Sequence, residues 1–166
     1  MKAVMLATVM FFLAGEARAQ QKTADLHFGY AHGTATHANS WGGGAAFQLT
    51  WGGNSAPAKI NTSLGADYMK QEKSGPSQTS ASLDVTAQPG GSSAFTPYAG
   101  GSVSENWSGG SAKQWDGAKV GLEVLGGFQF KSSPDANLAW KAEERFGYVQ
   151  GQEHTLTTRL GLLVSI

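Results

Sequence analysis

Apolar and polar residues alternate along almost the whole of residues 20–166, and no helical period of 3.6 residues is sustained there. Segment one, Thr23–Gly33, sets Ala24, Leu26, Phe28 and Tyr30 on one face. Segment two, Trp41–Gly52, sets Ala45, Phe47, Leu49 and Trp51 against Gly44, Ala46, Gln48 and Thr50. Segment three, Ala58–Lys70, opposes Ile60, Thr62, Leu64, Ala66 and Tyr68 to Asn61, Ser63, Gly65 and Asp67. Segment four, Gln78–Gln88, opposes Ala81, Leu83, Val85 and Ala87 to Ser80, Ser82, Asp84 and Thr86. Segment five, Phe95–Trp107, alternates poorly, and its faces stay unassigned. Segment six, Gly117–Lys131, puts Val120, Leu122, Val124, Phe128 and Phe130 opposite Lys119, Gly121, Glu123 and Gln129. Segment seven, Asn137–Tyr148, puts Leu138, Trp140, Ala142, Phe146 and Tyr148 opposite Lys141, Glu143 and Arg145. Segment eight runs to the last residue, with Leu156, Thr158, Leu160, Leu162, Val164 and Ile166 on one face and Arg159, Gly161 and Ser165 on the other.

A period of two predicts strands, and each segment has about the 9–11 residues, or slightly more, that a tilted strand needs to cross a bilayer. Eight is an even number, the smallest in the class of single-chain bacterial membrane barrels. The connections fall into two alternating sets. Gly52–Pro57, Pro89–Ala94 and Ser132–Ala136 are compact, and each holds a proline. Gly33–Asn39, Gln71–Ser77, Ser108–Trp115 and Val149–His154 are polar. Both chain ends fall with the compact turns, which predicts a periplasmic side there and an outer side for the polar loops.

The aromatics divide in the same way. Phe28, Tyr30, Trp41, Tyr68, Trp107, Phe146 and Tyr148 gather at one set of strand ends, and Trp51, Phe95, Phe128, Phe130 and Trp140 at the other. Two belts of amphipathic rings suit two membrane interfaces. Periodicity alone leaves the inverse open, a secreted soluble barrel or sandwich with its apolar face inward and Glu123, Glu143 and Arg159 in water. The belts decide for the membrane.

Composition sharpens this picture. Of 166 residues only 14% are charged, against about 25% in ordinary soluble domains. Twelve basic residues balance twelve acidic ones, so no electrostatic argument for nucleic acid exists. There are 23 glycines and no cysteine, which excludes disulfides and thiolate metal or redox sites. Lys2, the uncharged run Ala3–Gly15 and the small-residue site Ala17-Arg18-Ala19 form a secretory signal peptide, predicting cleavage after residue 19. That run is too short to cross a bilayer as a helix, which takes about 20 residues. The expected organisation is a signal peptide over 1–19 and one barrel domain over 20–166.

Several motifs carry a family likeness. Thr96-Pro-Tyr-Ala-Gly-Gly-Ser-Val103 is similar to the Pro-Tyr-x-Gly-x-Gly run that opens a strand in small outer-membrane barrels of the OmpA, OmpX and Opa kind. Gly121-Leu-Glu123-Val and Leu138–Tyr148 continue the likeness. The last residues, with Arg159, Gly161, Val164 and Ile166, resemble the C-terminal signal that delivers such barrels to their assembly machinery. Ile166 stands where that family usually has Phe or Trp. The resemblance implies an eight-stranded antiparallel up-and-down transmembrane β-barrel in the cell outer membrane. It also implies contact with outer-membrane lipid and lipopolysaccharide, passage through the barrel assembly machinery, a monomeric state and no cofactor.

Candidate chemistry lies on the polar face. Glu123, Glu143 and Arg159 stand at similar heights on three consecutive strands, and Asp84, Lys119, Lys141 and Arg145 share that face. Charges confined in a narrow lumen must pair, because an unpaired buried charge costs several kcal/mol. A salt-bridged plug is the expectation, with a narrow low-conductance pore as the alternative. Histidines 27, 32, 37 and 154 lack accompanying ligands at metal spacing and are expected to be ordinary loop residues where they fall in loops. No His-x-Ser occurs, so the resemblance does not extend to lipid A deacylases. Ser104 and Glu105 have no base placed beside them. The glycine pairs at 100–101 and 126–127 and the triplet 42–44 match no nucleotide loop; glycine in a strand marks a bend or room for a large neighbour, and barrel curvature is the expected reason here. The expected function is structural or surface contact without catalysis, with the narrow pore as the alternative and a lipid A-modifying outer-membrane enzyme as a further one.

Overall fold

The computed structural model describes residues 21–166 except Thr36, Asn54, Lys73, Ser74, Ser92, residues 110–117, Pro134 and Glu153. The expected signal peptide therefore lies outside the described residues, as does most of the Ser108–Trp115 connection. Eight strands follow in chain order: β1 Gln21–Gly33, β2 Asn39–Trp51, β3 Ala58–Gln71, β4 Ser77–Pro89, β5 Phe95–Gly109, β6 Lys119–Lys131, β7 Leu138–Val149 and β8 His154–Ser165. Every strand pairs antiparallel with its neighbours in sequence, and β8 returns to β1 to close the barrel.

Closure satisfies a physical requirement. Within hydrocarbon no water serves the backbone, so every N–H and C=O must find a partner in the protein. The seam is zipped from Thr23 opposite Ser165 to Gly33 opposite Thr155. Beyond it, the Ile166 amide donates to the Lys22 carbonyl at 3.0 Å and the Ser165 amide to the Asn137 carbonyl at 2.8 Å. The chain terminus is thus tied to both neighbouring strands. Gly52, directly after β2, turns the chain with a φ of 102°, a conformation that a side chain would oppose.

The apolar face points outward. Leu26 is 62% exposed, Val124 64% and Leu160 61%, whereas the side chain of Arg145 is 2% exposed. This is the reverse of a soluble barrel and excludes the inverted alternative. The aromatics predicted for the two belts lie on the outward face, with Tyr30 opposite Trp41 near one rim and Phe130 opposite Trp140 near the other.

Segment five is β5, and its faces are now assigned. Tyr98, Ser102, Ser104 and Asn106 are buried in the lumen, while Phe95, Pro97 and Val103 face out. Its alternation is faint because the inner face is mostly small and the outer face includes Ala99, Gly101 and Glu105. Segment six begins at Lys119; Gly117 is outside the described residues.

Glu144 interrupts the apolar band near its middle. It sits midway along β7 on the exposed face, opposite Gly126 of β6 and Thr158 of β8.

Candidate functional site

The lumen is divided by a layer of charged side chains that project inward from six strands. Six of them form a closed ring. Asp25 Oδ1 lies 3.2 Å from His27 Nδ1, and His27 Nε2 lies 2.6 Å from Asp67 Oδ1. Asp67 Oδ2 accepts from Arg159 Nη2 at 2.9 Å, and Arg159 Nη1 approaches Glu143 Oε1 at 3.8 Å. Glu143 Oε2 is 3.2 Å from Lys141 Nζ, which returns to Asp25 Oδ2 at 2.8 Å.

Arg145 braces this ring against the opposite wall. Its Nε donates to Glu143 on its own strand at 2.6 Å, its Nη1 to Glu123 of β6 at 3.0 Å, and its Nη2 to Asp84 of β4. The Tyr98 hydroxyl of β5 donates to Glu143 Oε2 at 2.9 Å. A guanidinium offers five donors in a planar fork, so one arginine can hold three carboxylates where a lysine has only a compact point charge. An eight-stranded lumen is just wide enough for such side chains to fill it.

Glycine makes the room. A Cβ on Gly44 of β2 would stand 2.5 Å from Asp67 Oδ1 and 2.8 Å from the His27 ring. One on Gly147 of β7 would stand 2.6 Å from Glu123 Cγ. Beyond any part in curvature, these two glycines leave room for specific large neighbours.

Of the charged residues anticipated from the polar face, Asp84, Glu123, Lys141, Glu143, Arg145 and Arg159 all take part in this layer. Lys119 does not. It opens β6, about 13 Å along the strand from Glu123 at a rise of about 3.3 Å per residue, and its side chain is in none of the ion pairs among the described residues. Glu143 and Arg159 are direct cross-strand partners, but Glu123 pairs in register with Gly147 rather than Glu143. Counting from strand ends overlooks the stagger that a closed barrel imposes.

Asp25, His27, Asp67 and Tyr98 belong to the site but were not singled out for it by their sequence pattern. Asp67 and Asp25 sit at the polar parity of their strands, which was the available signal. Nothing along the chain says that His27 lies between them.

The other histidines stay at the rim. His37 Nδ1 and His32 Nε2 are 3.4 Å apart, and His32 Nδ1 lies 2.8 Å from Asn39 Oδ1. His154 stacks on Phe146, with ring centroids 5.5 Å apart, although its carbonyl accepts the Thr34 amide at 3.0 Å and so joins the first and last loops. Among the described residues no group of three or more His, Asp or Glu is arranged to hold a metal. Ser104 and Glu105 are adjacent in β5 and therefore face opposite sides: Ser104 accepts from Asn106 inside at 2.8 Å, and Glu105 turns outward.

On each side of the charged layer the lumen opens into a cup. The one at the loop end measures about 360 Å³ and is floored by Asp67, Glu123 and Arg159, with Gln78, Asn106 and Gln152 on its walls. The one at the terminal end measures about 260 Å³ and is lined by Thr23, Thr50, Gln88, Gln129 and Ala139 among others.

No protein-family model matches the sequence, and no curated protein does. Solved structures match the fold. Neisserial surface protein A aligns over 88% of this chain and 96% of its own at a TM-score of 0.60 and 18% identity. The outer membrane enzyme PagL aligns over 86% and 99% at a TM-score of 0.57 and 11% identity. Ail, the attachment invasion locus protein of Yersinia pestis, aligns over 88% and 97% at a TM-score of 0.54 and 14% identity. The chain has the fold of the small outer-membrane β-barrels, closed and antiparallel in up-and-down order.

Proposed function

We propose that this chain is an integral outer-membrane barrel with a plugged lumen, serving envelope integrity or surface contact rather than catalysis. The observation that carries the reading is the inversion of faces: an unbroken ladder, an apolar exterior and an ion-paired interior. Such a body is soluble only in lipid. Its partners are outer-membrane lipid and lipopolysaccharide, with the assembly machinery reading Arg159, Gly161, Val164 and Ile166 during biogenesis. It acts as a monomer, since β1 and β8 satisfy each other and leave no strand edge for a second copy.

Contact with other surfaces falls to the loop end, where the His32–His37 pair and the Phe146–His154 stack stand at the rim. Neisserial surface protein A and Ail, by their names a surface protein and an attachment protein, support that choice. PagL supports an enzyme on the same scaffold. Here Ser104 and Glu105 diverge to opposite faces, so the pair closest to a catalytic arrangement is not brought together.

The test is SDS-gel mobility of the outer-membrane fraction with and without boiling. A folded membrane barrel resists SDS until heated, so a heat-dependent shift is expected. A protein found soluble in the periplasm, with no shift, would overturn the reading. Replacing the loop-end connections with short Gly-Ser turns is expected to abolish surface contact while leaving the heat shift in place. Lipid A is expected to remain intact on incubation with the folded barrel.

A further inference from the structure

We infer that His27 is a proton-operated closure of the lumen, and that the barrel conducts cations once this histidine gives up its proton. The inference rests on the membrane-spanning reading above and adds a conducting state to it.

The geometry around His27 is unusual in one respect. Both ring nitrogens face a carboxylate oxygen, Asp25 at 3.2 Å and Asp67 at 2.6 Å, and an ionised carboxylate only accepts. Both contacts are hydrogen bonds only if both nitrogens carry protons. The imidazolium is then the clasp joining β1 to β3 across β2, in the space left by Gly44. The remaining charged groups around it are fixed. From β8, Arg159 engages Asp67 and Glu143; from β7, Lys141 engages Asp25 and Glu143; from β2, no side chain intervenes at Gly44.

The same contacts form the partition between the two cups. Asp67 lines the cup at the loop end. Thr23 and Ala139, the next lumen-facing residues after Asp25 and Lys141 on their strands, line the cup at the terminal end. The chain Asp67–His27–Asp25–Lys141 is therefore the barrier on that side of the lumen, one layer of side chains thick.

A neutral imidazole can donate from only one nitrogen. The other then turns a lone pair toward a carboxylate, and that contact breaks. Five carboxylates (Asp25, Asp67, Asp84, Glu123 and Glu143) then face three cations (Lys141, Arg145 and Arg159) among the described residues. The surplus is negative, which favours cations over anions in the opened passage. Histidine is the only side-chain type in the layer whose ordinary charge change falls between about pH 5 and about pH 8, so acid keeps the barrier shut and alkali opens it.

The experiment is planar-bilayer recording of the purified full chain in potassium chloride between about pH 5 and about pH 8. The heat-dependent gel shift is checked on every sample. Wild type is expected to be silent at the acid end, with open probability rising about tenfold per pH unit below the midpoint, as a single-proton switch requires. The current is expected to prefer potassium over chloride. His27→Asn has no proton to lose and is expected to conduct across the whole range. Asp67→Asn offers the neutral ring either a donor or an acceptor and is expected to stay silent throughout, so it carries the test should His27→Asn fail to fold. His32→Asn, at the rim, is expected to follow wild type. Failure of wild type to insert or to show the gel shift overturns the membrane reading itself. A barrel that inserts yet is silent at every pH, or a pH dependence unchanged in His27→Asn, overturns the closure alone.

Discussion

The Thr158 hydroxyl donates to Glu144 Oε1 at 2.8 Å across the β7–β8 pair, on the face turned away from the lumen. The acid sits among Ala142, Phe146 and Leu160, at the middle of the apolar band. Acidic groups on the lipid face of a barrel are destabilising, though less so than basic ones, whose cost at the midplane is about 2–4 kcal/mol. One hydroxyl donor offsets only part of this. Glu144→Leu is expected to stabilise the barrel by about 1 kcal/mol in urea unfolding from lipid vesicles. An unchanged or lower midpoint would place this stretch outside the hydrocarbon.

Arg145 is the opposite case, a charge whose removal strands others. Arg145→Met leaves Asp84, Glu123 and Glu143 without their shared guanidinium. Breaking a buried pair from one side costs about 3–5 kcal/mol. A loss of that size in vesicle unfolding is expected, together with a lower temperature for the gel shift. Full stability of the methionine variant would mean that water already serves those carboxylates.

Tyr98 tests a finer contact. Its hydroxyl is a neutral donor to the charged Glu143, a class of bond that contributes about 1.5–3 kcal/mol. Tyr98→Phe removes the oxygen alone and is expected to cost about that much in the same assay. A cost near zero would show that Lys141, Arg145 and Arg159 already saturate Glu143.

Two glycines should part company under the same substitution. At Gly44 a methyl group meets the Ala66 carbonyl and the Asp67 carboxylate at 2.5 Å each. At Gly126 the nearest atom is the Tyr98 carbonyl at 3.7 Å, an ordinary contact. Overpacking of this kind costs about 1–3 kcal/mol, so Gly44→Ala is expected to lose that much. Gly126→Ala is expected to gain up to about 1 kcal/mol through reduced backbone freedom in the unfolded chain. Equal effects at the two sites would contradict the packing around His27.

Most strands were legible because lipid outside and charge inside give their two faces strong chemical contrast. Leu122 and Val124 against Glu123 make the point within three residues. β5 lacked that contrast: Ser102 and Ser104 within, Ala99 and Gly101 without, differ too little in polarity to mark a face. The charged layer was half legible for a related reason. Lys141, Glu143 and Arg145 are spaced by two on one strand, so their common face is visible in the chain. His27 meets Asp67 forty positions away, across an intervening strand, and that meeting depends on the curvature of the closed wall. Lys119 misled because parity specifies direction and says nothing of depth.

The seam between β1 and β8 joins the first strand of the barrel to the last. In synthesis and export, Thr23 therefore emerges long before its partner Ser165 exists. Every earlier stage of the chain has at least two unsatisfied edges, and an edge cannot rest in hydrocarbon. No truncated form ending before β8 can be a smaller version of the finished body. Strand β8 acts as a completion check, and synthesis that stops before it delivers something the membrane has no stable place for.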